Sequence, residues 1–170
     1  MWPAGIALAM DATTLVTPGV TVLEIGAGPA LPSLVAAAKG ASVVALDWAP
    51  EAIDLLRANS ARNRLASVRA LECEWSDLAA ITAVQSELVF AADVLYEARN
   101  VEPVAAALAA GLARAGRALV ADPGRTHAGR FAAAALQHGL ELDAGLLPTL
   151  PRGVLFELRH GPSPPPPPQT

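Results

Sequence analysis

Short apolar segments alternate with alanine-rich segments along almost the whole chain, and this alternation limits the fold more than any other feature. It is typical of a parallel sheet covered by helices, because consecutive parallel strands need a crossover connection. The spacing predicts strands over 20–25, 42–46, 67–71, 87–92 and 117–121, and helices over 29–39, 50–63, 76–84, 101–113 and 129–137. Segments 140–144 and 154–158 are predicted to close the sheet as a strand pair. The expected fold is α/β, with a seven-stranded, mainly parallel sheet whose last strand is antiparallel.

Composition predicts one folded domain. Hydrophobic residues make up 53% of the 170 residues, which is enough for a single core over residues 1–160. Residues 161–170 include an unbroken run from Pro164 to Pro168 and are predicted to be a disordered proline-rich tail. Apolar runs end before the roughly 18 residues that a membrane span needs. The first residues carry no basic side chain, so we expect no signal peptide and a cytosolic protein.

Charge and metal-ligand content argue against two classes of function. The net charge is −4, whereas a nucleic-acid-binding surface normally needs a basic stripe. Cys73 is the single cysteine, and the histidines, at 127, 138 and 160, do not share a helix face. We therefore expect neither an internal disulfide nor a metal site.

A glycine-containing turn follows the first predicted strand. The strand ends in Glu24-Ile25, and Gly26 and Gly28 come before the next predicted helix. Glycine lets the backbone turn tightly and approach a ligand, and the helix N-terminus beyond it offers free N–H groups. Ordinary strand–helix turns also contain glycine, so this motif is weak evidence when taken alone.

The second predicted strand ends next to Asp47 and Trp48. A carboxylate at this place is the usual partner of the ribose hydroxyls of an adenosine cofactor, and Trp48 is placed to pack on the adenine. Each residue also has a purely structural interpretation. Asp47 is a candidate N-cap for helix 50–63, and Trp48 a candidate core residue.

Charge distinguishes between the adenosine cofactors. Dinucleotide-binding folds normally place a third glycine where this chain has Leu31. Glu24 at the strand end would repel a pyrophosphate, but it suits the ammonium and sulfonium groups of S-adenosylmethionine. The sequence therefore favours S-adenosylmethionine over NAD.

With these features the chain resembles the class I S-adenosylmethionine-dependent methyltransferases, which have a Rossmann-like fold. It is most similar to the branch of small protein-lysine methyltransferases and nicotinamide N-methyltransferase-like enzymes. The resemblance extends from the first residues to about Leu158. It rests on Trp2-Pro3-Ala4-Gly5, Glu24-Ile25-Gly26-Ala27-Gly28, Glu74-Trp75-Ser76-Asp77 and Asp93-Val94-Leu95-Tyr96, with a softer match at Asp122-Pro123-Gly124-Arg125.

The resemblance implies a role for each matching residue. Glu24, Gly26 and Gly28 would line the methionine end of the cofactor, and Asp47 would hold its ribose. The adenine would be held by Trp48, Trp75 and Asp77, and Trp2 would cover the cofactor from the N-terminal side.

Asp93 and Tyr96 are the implied catalytic pair and would face the methyl group. Asp93 would orient the acceptor amine or take its proton, and the Tyr96 hydroxyl would hydrogen-bond it. The structural alternatives are a helix cap for Asp93, although helix 101–113 begins too far away for direct capping, and core packing for Tyr96.

The predicted function is methyl transfer from S-adenosylmethionine to an amine, either on a protein (a lysine, by resemblance) or on a small molecule. One alternative is a non-catalytic or truncated cofactor-binding module. Family members usually have an extension before the Trp2 segment, so the sequence suggests a start assigned too late or a shortened entrance. The other alternative, an NAD(P)-linked oxidoreductase, predicts a Tyr-x-x-x-Lys pair, and this chain lacks one.

Overall fold

The computed structural model describes residues 2–12 and 14–162. The proline run at 164–168, for which a disordered tail was predicted, lies outside these residues. Within them, a short 3-10 turn at Ala98–Asn100 leads into the fifth helix. The strands and helices are α1 (Pro3–Ala12), β1 (Thr21–Ile25), α2 (Leu31–Ala38), β2 (Ser42–Asp47), α3 (Pro50–Arg62), β3 (Val68–Glu72), α4 (Leu78–Thr82), β4 (Ser86–Ala92), α5 (Val101–Gly111), β5 (Leu112–Asp122), α6 (Ala128–Gln137), β6 (Leu140–Leu146) and β7 (Val154–His160).

The strands form one seven-stranded sheet in the order β3-β2-β1-β4-β5-β7-β6. Strands β1 to β5 pair in parallel, and β7 lies antiparallel between β5 and β6. The predicted α/β fold with an antiparallel last strand is therefore confirmed. Strand order reverses between β1 and β4, and open α/β sheets bind ligands beside such a reversal, at the carboxyl ends of the strands.

Alternation along β1 assigns its side chains to the two faces of the sheet. Leu23 and Ile25 pack into the apolar layer that also contains residues of α5 and α6. Val22 packs on the opposite face with residues of α1 and α2. Because side chains alternate along a strand, Glu24 lies on the same face as Val22, next to the start of α2.

Helix α1 was not predicted as a helix. It buries Ala4, Ala7, Leu8 and Ala12 against the α2 face of the sheet. Its first eight residues are all uncharged, so no amphipathic stripe marks the segment in the sequence. Tertiary packing stabilises this helix, and it brings Trp2 to the edge of the sheet where the predicted site residues lie.

Helix α5 ends two residues earlier than predicted. The alanine-rich sequence favours a helix through Ala113, but Leu112 already pairs with Ser86 in the sheet. Gly111 allows the close approach that this pairing requires, since a Cβ there would lie 2.5 Å from Leu23 Cδ2. Sheet pairing therefore overrides helix propensity at this junction.

None of the helices in residues 2–12 and 14–162 has the length and apolar character needed to cross a membrane.

Candidate functional site

A cavity of about 660 Å³ opens at the carboxyl ends of β1, β2 and β4. This volume is in the range of small-molecule and cofactor sites. Nine of the ten predicted site residues line the cavity, and Asp77 does not. The nine are Trp2, Glu24, Gly26, Gly28, Asp47, Trp48, Trp75, Asp93 and Tyr96. Their individual roles stay predictions, but the fold brings them together.

The turn after β1 needs glycine at position 26. Gly26 has φ +66°, and a Cβ there would lie 3.0 Å from Val94 Cγ1 and 3.2 Å from Trp75 Cζ2. Gly28 also has a positive φ, of +50°, and nothing lies within 4 Å of its Cβ position. Both glycines line the cavity, but only at Gly26 do neighbouring side chains crowd the Cβ position.

We expect Gly26→Ala to destabilise the protein by about 1–2 kcal/mol, because alanine would adopt a left-handed conformation against Val94 and Trp75. Thermal unfolding measures the effect. Gly129→Ala is the matched control, since Gly129 lies in α6 with open space around it. The control should stabilise by about 0.5 kcal/mol. Equal melting temperatures for the two variants would contradict the assignment of strain to position 26.

Glu24 is a buried carboxylate under the turn. Its Oε2 accepts a hydrogen bond of 2.9 Å from the backbone N–H of Ser33, in the first turn of α2. Burial raises the pKa of Glu24 to about 7. The hydrogen bond from Ser33 opposes this rise, and the nearby Asp47 charge adds to it. An ionised Glu24 would therefore be stabilised by a cation in the cavity.

Asp47 connects the two strand ends. Its Oδ2 accepts from the N–H of Gly28 at 2.9 Å, and its Oδ1 accepts from the N–H of Ala49 at 3.0 Å. The N-cap residue of α3 is Ala49, whose methyl side chain makes no capping hydrogen bond. Asp47 therefore does not cap α3, and the interpretation as a carboxylate facing the cavity remains.

Two of the predicted adenine residues are aromatic walls of the cavity. Trp48 is 58% exposed, so it is not a core residue. Trp75 is partly buried, and its indole Nε1 is buried without a hydrogen-bond partner among the described residues. Flat aromatic surfaces of this kind suit a purine ring.

Asp77 has a local role in this structure. Its carboxylate accepts from the N–H of Ala80 at 3.0 Å and caps α4. Its assignment to the adenine stays a prediction that its position outside the cavity does not support.

Asp93 forms an ion pair that sequence reasoning missed. Arg125 donates from Nε to Asp93 Oδ1 at 2.6 Å and from Nη2 to Oδ2 at 3.0 Å. Asp93 adopts a left-handed conformation with φ 58° directly after β4, and only 7% of its side chain is exposed. Asp93 does not cap α5, whose N-cap residue is Asn100. The sequence indicated this pair only by placing both residues after the carboxyl ends of two strands, β4 and β5, that are adjacent and parallel.

A second cavity of about 520 Å³ adjoins the first. The two cavities share four lining residues, Trp2, Asp93, Tyr96 and Arg125. Tyr96 is exposed at this junction and is not a core residue. The junction therefore separates an aromatic, acidic chamber from a groove that is open to the surface.

The charges of the first cavity fit a cationic ligand better than a pyrophosphate. Its charged lining residues are Glu24, Asp47, Asp93 and Arg125, and the guanidinium is already paired with Asp93. Leu31, where dinucleotide-binding folds have a glycine, also lines the wall. Within the described parts of the chain, no group of three or more His, Cys, Asp or Glu side chains is placed to hold a metal.

Comparison with known sequences identifies the family. A profile of the lysine methyltransferase family matches residues 1–130. The chain belongs to this family. The match includes the glycine turn, Asp47, the Asp93–Tyr96 segment and Arg125, so it confirms the resemblance inferred from those motifs.

Two named relatives of this lysine methyltransferase family member match part of its sequence. Histone-arginine methyltransferase METTL23 of Homo sapiens is 30% identical over 118 residues, which are 64% of this chain and 60% of the human protein. The Mus musculus protein of the same name is 29% identical over 114 residues, 62% of this chain and 44% of the mouse protein. The chain thus spans about half the length of these relatives.

Solved structures confirm the Rossmann-like methyltransferase fold. A TehB-like S-adenosylmethionine-dependent methyltransferase from Corynebacterium glutamicum superposes with a TM-score of 0.71 at 20% identity, covering 92% of this chain and 87% of that one. A ribosomal protein L11 methylase from Lactobacillus delbrueckii subsp. bulgaricus gives a TM-score of 0.73 at 19% identity, covering 91% and 77%.

Proposed function

We propose that this family member transfers the methyl group of S-adenosylmethionine to a side-chain nitrogen of a protein. The observation that carries the proposal is the junction at which the two cavities meet, lined by Trp2, Asp93, Tyr96 and Arg125. A methyl transferase needs such an arrangement, because donor and acceptor must approach one another in line from opposite sides of the methyl group.

The first cavity provides groups that match each part of the cofactor. Glu24 and the turn at Gly26 and Gly28 would hold the cationic methionine end. Asp47 would accept from the ribose hydroxyls, and Trp48 and Trp75 would enclose the adenine. The unpartnered Nε1 of Trp75 adds a buried donor to this wall. When bound, S-adenosylmethionine supplies an activated methyl group on a sulfonium leaving group.

The residues at the junction would orient the acceptor and exclude water. An attacking nitrogen must present a free lone pair, so its protons are best directed at hydrogen-bond acceptors. The Asp93 carboxylate and the Tyr96 hydroxyl are the groups placed to receive them. Trp2, directly before α1, lines both cavities at the junction and would limit the access of solvent to a bound acceptor.

The comparisons support a protein acceptor without selecting its side chain. The family is described as a lysine methyltransferase family, whereas the METTL23 relatives are named histone-arginine methyltransferases. Lysine and arginine both have a nitrogen at the end of a long flexible side chain, which suits the second cavity because it is open to the surface. A small-molecule amine is the alternative acceptor, and the labelling assay described below distinguishes it from a protein acceptor.

The raised pKa of Glu24 predicts how cofactor binding depends on pH. A cation binds the ionised carboxylate better, so affinity for S-adenosylmethionine should rise as the pH is raised through about 7. Below that pH the expected change is up to about tenfold per pH unit. Calorimetric titration between about pH 5.5 and 7.5, below the ordinary pKa of the cofactor's amino group, measures it.

The comparison variant is Glu24→Gln, which should bind more weakly at pH 7.5 and show little dependence on pH. Glu141→Gln, a change of an exposed residue on β6, should behave like the wild type. A wild-type affinity that stays flat over this range would contradict a role for Glu24 at the cationic end of the cofactor.

The transfer reaction itself is tested with methyl-labelled S-adenosylmethionine and purified core histones, followed by mass spectrometry of the products. We expect label on lysine or arginine side chains, and none with Asp93→Asn. A second sample with a mixture of small amines tests the small-molecule acceptor. Cofactor binding without label on any acceptor would support the non-catalytic module instead.

A further inference from the structure

The Asp93–Arg125 ion pair lies where the two cavities meet, and the proposed chemistry does not account for it. The guanidinium contacts both carboxylate oxygens through two separate nitrogens, at 2.6 and 3.0 Å. Two-point pairs of this kind fix the plane and direction of a carboxylate as well as its charge. An acceptor reaching Asp93 therefore meets a carboxylate that is already oriented.

The backbone holds both partners of the pair in place. The N–H of Asp93 donates to Ala121 O of β5 at 2.9 Å. Asp122 Oδ1 accepts from the N–H of Gly124 at 2.8 Å and from that of Arg125 at 2.6 Å, which forms the turn that presents Arg125. Gly124 is packed so closely that a Cβ would lie 2.6 Å from Arg152 O. The ion pair is thus attached to the sheet on both sides.

Arg125 also changes the charge that an acceptor encounters. An unpaired carboxylate would stabilise a protonated amine, which has no lone pair and cannot attack. The positive charge of Arg125 offsets that of Asp93, so the pair accepts hydrogen bonds without favouring an ammonium. The oxygen lone pairs that Arg125 leaves free remain available to the N–H groups of the acceptor.

We propose that Arg125 is a positioning residue for methyl transfer, which orients the Asp93 carboxylate and offsets its charge while the acceptor nitrogen binds. This inference rests on the proposed function of the same site. The opposite arrangement would be an Arg125 that blocks Asp93 and must be displaced by the cationic tip of the acceptor. The two arrangements predict opposite results for the same variants.

The kinetic experiment compares Arg125→Gln and Arg125→Lys with the wild type, using labelled S-adenosylmethionine and core histones. Arg125→Gln should lower kcat by about 10²-fold, the usual cost of a misplaced catalytic group, with little change in cofactor affinity or in KM for histone. Arg125→Lys should recover part of the loss, because the charge is retained. The control is Arg130→Gln, an exposed change on α6 outside both cavities. Unchanged or faster turnover in Arg125→Gln would overturn the proposal.

A measurement independent of turnover separates this proposal from the proposed function. The Arg125 Nε–H signal is assigned in 15N-edited NMR spectra by its absence in Arg125→Gln. It should be protected from exchange in the wild type and should persist when methylguanidinium or butylamine is added as a mimic of an acceptor tip. Loss of the protected signal on addition of either probe would show that Arg125 is displaced, and would overturn the proposal even if the wild type transferred no methyl group.

Discussion

Replacing Asp47 by alanine is expected to weaken S-adenosylmethionine binding by about 1.5–3 kcal/mol, which is about 10- to 150-fold in the dissociation constant. Asp47 ends β2 with its carboxylate facing the cavity, where the ribose of an adenosine cofactor would bring two hydroxyl donors. Hydrogen bonds to a charged acceptor account for this magnitude. Calorimetric titration of the wild type and of Asp47→Ala with S-adenosylmethionine gives the difference in binding free energy directly.

Two further variants separate ligand contacts from effects on the turn. Asp47 also accepts from the N–H groups of Gly28 and Ala49, so the alanine variant removes two backbone contacts as well. Asp47→Asn keeps one acceptor oxygen and should lie between the wild type and Asp47→Ala. The control is Asp54→Ala, which removes an exposed carboxylate of α3 that pairs with Arg57 on the surface. If Asp47→Ala bound as well as the control, Asp47 would have no role at the ribose.

Asp93→Asn is expected to lower kcat by about 10²–10⁴-fold, the range found for removing a group that handles protons in the transition state. Asparagine preserves the shape, but it is neutral and offers one acceptor oxygen in place of two. Arg125 would then face an amide with its charge unbalanced. Cofactor affinity should change much less than turnover, because the Asp93 carboxylate is already paired with Arg125 and lies at the junction with the second cavity.

The stability of Asp93→Asn must be measured beside its activity. Loss of the ion pair should lower the free energy of unfolding by about 1–3 kcal/mol. The burial of Asp93 strengthens the pair, and the partial exposure of Arg125 to solvent weakens it. Asp143→Asn, a change of an exposed residue on β6, is the control for the isosteric change. A folded Asp93→Asn protein that retained most of its turnover would remove Asp93 from the catalytic pair.

The sequence predicted the parallel layers and most of the cavity because both follow from local rules. Strand ends, positive-φ glycines and carboxylates after strands recur at fixed places, and parallel pairing collects them at one edge of the sheet. Gly26, Asp47 and Asp93 come together for this reason. The positive φ of Ala30 was not foreseeable, since nothing in an alanine marks a left-handed conformation.

The features that sequence reasoning missed depend on contacts between distant segments. Helix α1 is apolar on all sides in its first turns, so its buried face is fixed by packing rather than by pattern. The partner of Asp93 depends on how the turn at Asp122 directs Arg125 back toward β4. Asp77 has a local role as the N-cap of α4, and its assignment to the adenine by resemblance stays a prediction.

The measurement that tests the account most directly is a parallel calorimetric titration of the chain with S-adenosylmethionine, S-adenosylhomocysteine and NAD. The acidic first cavity and the family assignment predict micromolar binding of the first two ligands and no binding of NAD. Binding of NAD, or of none of the three by a folded protein, would contradict the assignment of this cavity to S-adenosylmethionine.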